Sequence, residues 1–191
     1  MADKNGENTP TENLVTKKML ETRSILISGE INKVLAAQVV SQLILLEAES
    51  DEAIKIFIDS PGGDVDAGYA IFDMIRFVHP RVIMIGMGLV ASAAALILLA
   101  VPKENRVGLP NSNYLIHQPM SNIRGVATEI EIHAKQIEKL RHKINQLISD
   151  ETGTALEKVE KDTDRDCWLD ANESLAYGLI SKIIVSRTEL V

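Results

Sequence analysis

At 191 residues the chain is long enough for one domain with a sizeable core, and 46% apolar with 25% charged residues is a globular composition, not a disordered one. A net charge of −7 without any basic cluster argues against a nucleic-acid partner. The single cysteine, Cys167, excludes an intrachain disulfide framework and fits a reducing cytoplasm. Met1 to Asn13 is polar, carries both charge signs and lacks the pattern of a secretory signal, so it reads as a flexible tail. Ser24 to Ile27 reads as a strand, and Val34, Leu35, Val39, Leu43 and Leu46 fall at helical spacing over 33–49. Ile54 to Ile58 is a second strand, broken by Gly62-Gly63, and 65–77 is a helix. Val82 to Ile85 is a near-continuous apolar strand of the kind buried on both faces. The run from Leu89 to Val101 falls short of the roughly 20 apolar residues of a membrane span and reads as a buried core helix.

Further on, Arg106-Val107-Gly108 is extended and Asn113 to Ile116 is a strand. A long helix is predicted from Thr128 to Thr152, with Thr128 and Glu131 as a capping box and Gly153 as its stop. Thr154 with Glu157 and Asp170 with Glu173 open two shorter helices by the same rule. Gly178 closes the last, and Leu179 to Val185 is a final strand. Strands alternating with helices predict an α/β fold of βαβ crossovers in one domain.

Three stretches carry chemistry. Gly88-Leu89-Val90-Ala91-Ser92-Ala93-Ala94-Ala95 supplies a hydroxyl after a strand and a turn, at a helix start where free N–H groups favour developing negative charge. Ser92 reads equally as a nucleophile and as the N-cap of that helix. The N–H of Ala93 is the natural oxyanion donor, and that of Gly63, in Asp59-Ser60-Pro61-Gly62-Gly63, is a second. Tyr114-Leu115-Ile116-His117-Gln118-Pro119 supplies an imidazole at a strand end. Asp162-Thr163-Asp164-Arg165-Asp166 supplies the carboxylate, and spacing does not choose among its three aspartates. Glu129 and His133 lie four apart on the long helix without a third ligand nearby, so no metal site is expected. Cys167 beside Trp168 and Leu169 reads as a packed, inert thiol.

Together these motifs resemble the Clp protease proteolytic subunit family over about residues 19–186. Ser60-Pro61-Gly62-Gly63 with Val65 and Ala67-Gly68, Ala91-Ser92, Leu109-Pro110-Asn111-Ser112, Ile116-His117-Gln118-Pro119, the stretch Gly125 to Ala134 and Asp162 to Asp166 each resemble a motif of that family. The spacings between Ser92, His117 and Asp166, 25 and 49 residues, resemble the family's too. The resemblance implies a serine endopeptidase of the ClpP/crotonase-like fold, built of repeated β-β-α type units with a protruding handle helix at about 123–148. It implies Ser92 as nucleophile, His117 as base, Asp166 as orienting acid, and the N–H groups of Gly63 and Ala93 as the oxyanion hole.

The same resemblance implies residues 1–18 as a flexible axial segment and 19–191 as the protease domain. It implies two stacked heptameric rings in the cytoplasm, joined through the handle and through pairing of Arg165. Unfolded polypeptides would be fed in by an AAA+ unfoldase that uses the ATP, with no cofactor, metal or membrane for this chain. Four departures stand out: Ala93-Ala94 where the family has Met-Gly, Asp59 for an asparagine, a Leu14 to Lys18 segment unlike the usual axial loop, and no Tyr-Ser-Arg ahead of Met19-Leu20. They are similar to diverged second-type paralogues, which can depend on a companion subunit for activity, so that both pure and mixed rings stay open. The alternatives are a weakly active or regulatory ring subunit needing an active paralogue, a crotonase-type acyl-CoA enzyme, and a Ser-Lys protease with Lys135 as base.

Overall fold

The computed structural model describes residues 10–190. The first helix, α1 (Pro10–Glu21), covers part of the segment read as flexible; residues 1–9 of that segment lie outside the described residues. There follow β1 (Ser24–Ser28), α2 (Lys33–Glu49), β2 (Ile54–Ser60), α3 (Val65–Phe77) and β3 (Val82–Ala91). The chain continues through α4 (Ala93–Leu98), β4 (Arg106–Gly108), β5 (Asn113–Ile116) and the long α5 (Ala127–Thr152). It ends with α6 (Leu156–Asp162), β6 (Cys167–Asp170), α7 (Ala171–Tyr177) and β7 (Lys182–Ile183).

Strands β1, β2, β3, β4 and β7 form a parallel sheet in that order, as βαβ crossovers require. Strand β3 is the axis of the molecule. Its first half pairs with β4 at Met84–Gly86, and its second half with β5 at Leu89–Ala91. Antiparallel β6 then closes on β5. The change of partner is made by a bulge: Ile58 sits opposite Gly86, but Ser60 sits opposite Val90. Gly88, at φ +54, turns the chain there, and a Cβ at that position would strike the Asp59 carboxylate.

Side chains on β2 alternate, with Ile54, Ile56, Ile58 and Ser60 buried and Lys55, Phe57 and Asp59 on the other face. α2 is capped by Asn32, whose Oδ1 accepts from the N–H groups of Val34 and Leu35, and α3 by Asp64, which accepts from Ala67. The apolar run after Ser92 is the buried helix the sequence suggests: every residue of α4 is at most 5% exposed, and it packs on α3, β3 and β5. Among the described residues no helix is long and apolar enough to cross a membrane.

Several local expectations are corrected. β3 runs on to Ala91 because the bulge lets it change partner instead of stopping at Ile85. The last strand shrinks to Lys182–Ile183, which pairs with Val107 and Gly108 of β4, while the flanking Ser181 and Ile184 N–H groups donate to Arg106 O and Gly108 O. The long helix begins one residue early, behind Val126, and it is Glu129 that reaches back to the Val126 N–H, at 3.3 Å; Glu131 pairs with Lys135 instead. α6 starts behind Ala155, and Thr154 spends its hydroxyl on the Tyr177 carbonyl. The Asp170–Glu173 box and the left-handed Gly153 and Gly178 are as expected.

α5 has two unlike halves. Ile144 and Ile148 are buried in the core, and Leu140 and Leu147 pack against it. From Val126 to Gln136 the chain stands in solvent, leaving Ile130 at 43% and Ile132 at 56% exposure. Ile130, Ile137, Leu140, Ile144 and Leu147 form an apolar stripe along α5, and its own domain covers that stripe only in its lower half.

Candidate active site

The strand order and the bulge bring the end of β3 beside the turn after β2. Ser60, fully buried, ties that turn down: its Oγ donates to the Gly29 carbonyl at 2.6 Å and accepts from the Gly62 N–H at 3.1 Å. Gly63 faces Ile31 in an isolated parallel bridge, in which the bonds run from Ile31 N–H to Gly62 O and from Asp64 N–H to Ile31 O. A parallel bridge uses the groups flanking the central residue, so Gly63 keeps its own N–H free of a backbone acceptor. A Cβ on Gly62, at φ +90, would lie 2.6 Å from Ala91 O and 2.7 Å from Ser92 Cβ. Only glycine lets the turn approach the serine this closely.

Ser92 itself holds φ 56, ψ −121, a conformation that L residues rarely adopt. Its N–H donates to Leu115 O at 2.8 Å, continuing the β3–β5 ladder one residue past the strand. Its carbonyl accepts the first turn of α4 from Ala95 and Leu96. Its side chain caps nothing, which separates the two readings of this residue: the hydroxyl is not used as an N-cap. The N–H of Ala93, at the first position of α4, has no intrahelical acceptor. Two N–H groups, from Gly63 and Ala93, therefore border the serine.

His117 follows β5 directly. Its side chain is 10% exposed, and Nδ1 lies 3.5 Å from Asp166 Oδ1, longer than a good hydrogen bond. Among the described residues Ser92 Oγ forms no hydrogen bond with His117, yet Ser92, His117, Asp166, Gly62 and Gly63 all line one open cleft of ≈ 520 Å³. Asp166 comes to the imidazole because its segment is fastened on both sides. Gln118 donates through its N–H to Thr163 O at 2.7 Å and through Nε2 to Asp164 O at 2.5 Å. Thr163, fully buried, bonds Asn145 of α5.

The three aspartates thereby acquire different partners. Asp162 accepts from Lys158 and Tyr177, Asp164 pairs with Arg141 at 3.1 Å, and Asp166 alone faces His117. Tyr177 is held protonated far above the ordinary phenol range by burial and by its bond to Asp162.

Other sequence readings also find their places. Asp59 does not enter the cleft: its Oδ1 accepts from the Leu89 N–H at 3.0 Å on the opposite face of β2 from Ser60, so it does not oppose an oxyanion. Lys135 is exposed, bonded to Glu131 at 2.7 Å, and lines no pocket that holds Ser92, which removes it as a base. Cys167 is partly buried and burial pushes its thiol up, away from the reactive thiolate. Among the described residues no cluster of three His, Cys, Asp or Glu is placed to hold a metal. Sequence reasoning missed Glu30, Met120, Ile144 and Ile148, which also line the pockets around Ser92.

The Clp protease family profile matches residues 6–187. The "ATP-dependent Clp protease proteolytic subunit 2" of Treponema denticola is 62% identical over 183 residues, 95% of this chain and 92% of its own. The Pseudomonas aeruginosa protein of the same description is 43% identical over 192 residues, 98% of this chain and 96% of its own. Among solved structures, a mutant ClpP1 from Listeria monocytogenes superposes with a TM-score of 0.87 at 50% identity, covering 93% of this chain and 99% of that one.

Proposed function

The chain belongs to the Clp protease family and is a proteolytic subunit, a serine endopeptidase; from that premise we propose that Ser92 is its nucleophile, His117 the general base and Asp166 the acid that orients the imidazole. The N–H groups of Gly63 and Ala93 are the oxyanion hole. Ser92 Oγ attacks a peptide carbonyl as His117 takes the hydroxyl proton, which it then gives to the leaving amine; water hydrolyses the acyl-enzyme by the reverse roles. No cofactor enters these steps.

The observation that carries this reading is the convergence at Ser92: an uncapped hydroxyl on strained backbone, beside two N–H groups and in one cleft with His117 and Asp166. Replacing Ser92 by Ala is expected to lower peptide turnover by ~10⁶, because the relay acts as a unit. A Ser92→Ala protein cleaving a fluorogenic peptide at the unaltered rate would refute it.

Residues 19–191 are the protease domain, about 123–148 its handle, and 1–18 the axial segment. The subunits stack as two heptameric rings in the cytoplasm, and an AAA+ unfoldase burns ATP to feed them unfolded polypeptides. The exposed upper handle supports the ring contact, since the described residues leave Ile130 and Ile132 exposed. The free Cys167 supports a reducing compartment.

A second reading, a subunit that needs an active paralogue in mixed rings, is favoured by one observation. The relay is not closed: His117 and Asp166 stand 3.5 Å apart and Ser92 is not bonded to His117. Fluorophosphonate labelling of Ser92, alone and after mixing with a companion ring, separates the two. Labelling without the companion supports a self-sufficient protease, and labelling only in the mixture supports the dependent subunit.

A further inference from the structure

Beside the open cleft lies a second pocket that shares Val65, Ser92, His117 and Pro119 with it and is otherwise apolar, closed by Leu96, Ile116, Ile144 and Ile148. Its volume is ≈ 20 Å³, against ≈ 520 Å³ for the cleft. That is room for about one water molecule or one methyl group, whereas a cavity that takes an aromatic ring measures on the order of 150 Å³. The walls are not loose. Ile144 and Ile148 lie one turn apart on the buried half of α5, and Leu96 sits one turn into α4; none is more than 5% exposed. Widening the pocket means repacking the core behind it.

This inference rests on Ser92 being the nucleophile. A peptide whose scissile carbonyl oxygen meets the N–H groups of Gly63 and Ala93 sets the side chain on the acyl side of that carbonyl next to Ser92. We infer that the pocket receives this side chain and limits it to the size of alanine, so that the subunit cleaves after small apolar residues and not after leucine or phenylalanine. Alanine is favoured over serine because, beyond Ser92 and His117, the walls offer a hydroxyl no partner. Ile144, Ile148 and Leu96 set the limit through the length of their side chains.

The test uses peptidyl diphenyl phosphonates that differ only in the side chain next to phosphorus: methyl, ethyl or benzyl. Formation of the Ser92 adduct is followed by intact mass on the full chain. The methyl reagent is expected to react at least ten times faster than the benzyl reagent. Ile144→Ala is expected to bring the two rates within threefold. Ile148→Val, which removes one methyl at little cost to folding, is expected to raise the ethyl-to-methyl rate ratio at least threefold. A benzyl reagent as fast as the methyl one in the unaltered protein overturns the inference, as do ratios that neither variant moves. Absence of any adduct also overturns it; a fluorophosphonate without such a side chain, run in parallel, shows whether the pocket or the nucleophile was at fault.

Discussion

Gly62→Ala separates two costs that glycine avoids at the serine turn. The first is conformational: φ is +90, and an L residue in left-handed backbone loses roughly 1–2 kcal/mol. The second is steric. The added Cβ would stand 2.6 Å from Ala91 O, 2.7 Å from Ser92 Cβ and 3.1 Å from Ala93 N, and none of these atoms can swing aside. Overpacking of this kind costs about 1–3 kcal/mol. A total near ~3 kcal/mol corresponds to a melting temperature lower by about 6–12 °C for a chain of this size, at fixed protein concentration. Gly153→Ala is the control. It shares the left-handed backbone, at φ +78, but its Cβ meets nothing within 4 Å, so only the first cost applies, ~2–8 °C. The two variants also differ in chemistry. A shift of Ser92 by about 1 Å is worth ~10² in rate, so fluorophosphonate labelling is expected to fall by that factor in Gly62→Ala and to be unchanged in Gly153→Ala. If Gly62→Ala melts together with Gly153→Ala and labels within threefold of the unaltered protein, the close approach does not position the nucleophile.

Asp59→Ala strips the acceptor from the Leu89 N–H and frees the bulge at Gly88, at a cost of about 1–2 kcal/mol, whereas Asp59→Asn keeps a carbonyl oxygen in place and is expected to stay within ~0.5 kcal/mol in a urea titration. Glu151 holds two guanidinium groups, bonding Arg76 and standing 3.7 Å from the Arg106 group, which is 1% exposed and whose Nε and Nη1 have no partner among the described residues. Glu151→Ala is expected to cost ~3 kcal/mol by leaving that charge uncompensated, and adding Arg106→Met is expected to recover more than half. Equal denaturation midpoints for the single and double variants would contradict this account.

Where the sequence was legible, the signal was local. The alternation on β2 orients both Ser60 and Asp59, and the period change from strand to helix marks α2 and α3. The Asp170–Glu173 box is read correctly because its first residue really lies outside the helix. Thr128–Glu131 has the same spacing and misleads, because Thr128 is already helical and Glu129 is the residue that closes the end. Choosing Asp166 over Asp162 and Asp164 depends on partners 15 to 49 residues away, Tyr177, Arg141 and His117, which no local pattern encodes. The pocket wall is hidden for the same reason. Ile144 and Ile148 are ordinary apolar residues on a helix until the fold brings them to one pocket with Ser92 and Leu96.

The buried half of α5 sets two properties of the site at once. Ile144 and Ile148 bound the pocket beside Ser92, while Asn145 bonds Thr163 and Arg141 pairs with Asp164, fixing the segment that brings Asp166 to His117. These four side chains occupy two turns of a rigid element, so they cannot be displaced independently. A tilt of the helix that closes the 3.5 Å gap between Asp166 and His117 therefore also changes the space beside the nucleophile. The exposed half, Val126 to Gln136, is the lever arm of the same helix, and apolar contacts formed there would act on both properties through one rigid body. On the proposed assignment of Ser92, His117 and Asp166, relay geometry and the inferred limit on the residue before the scissile bond share one support, because a single helix carries Ile144, Asn145, Arg141 and Ile148.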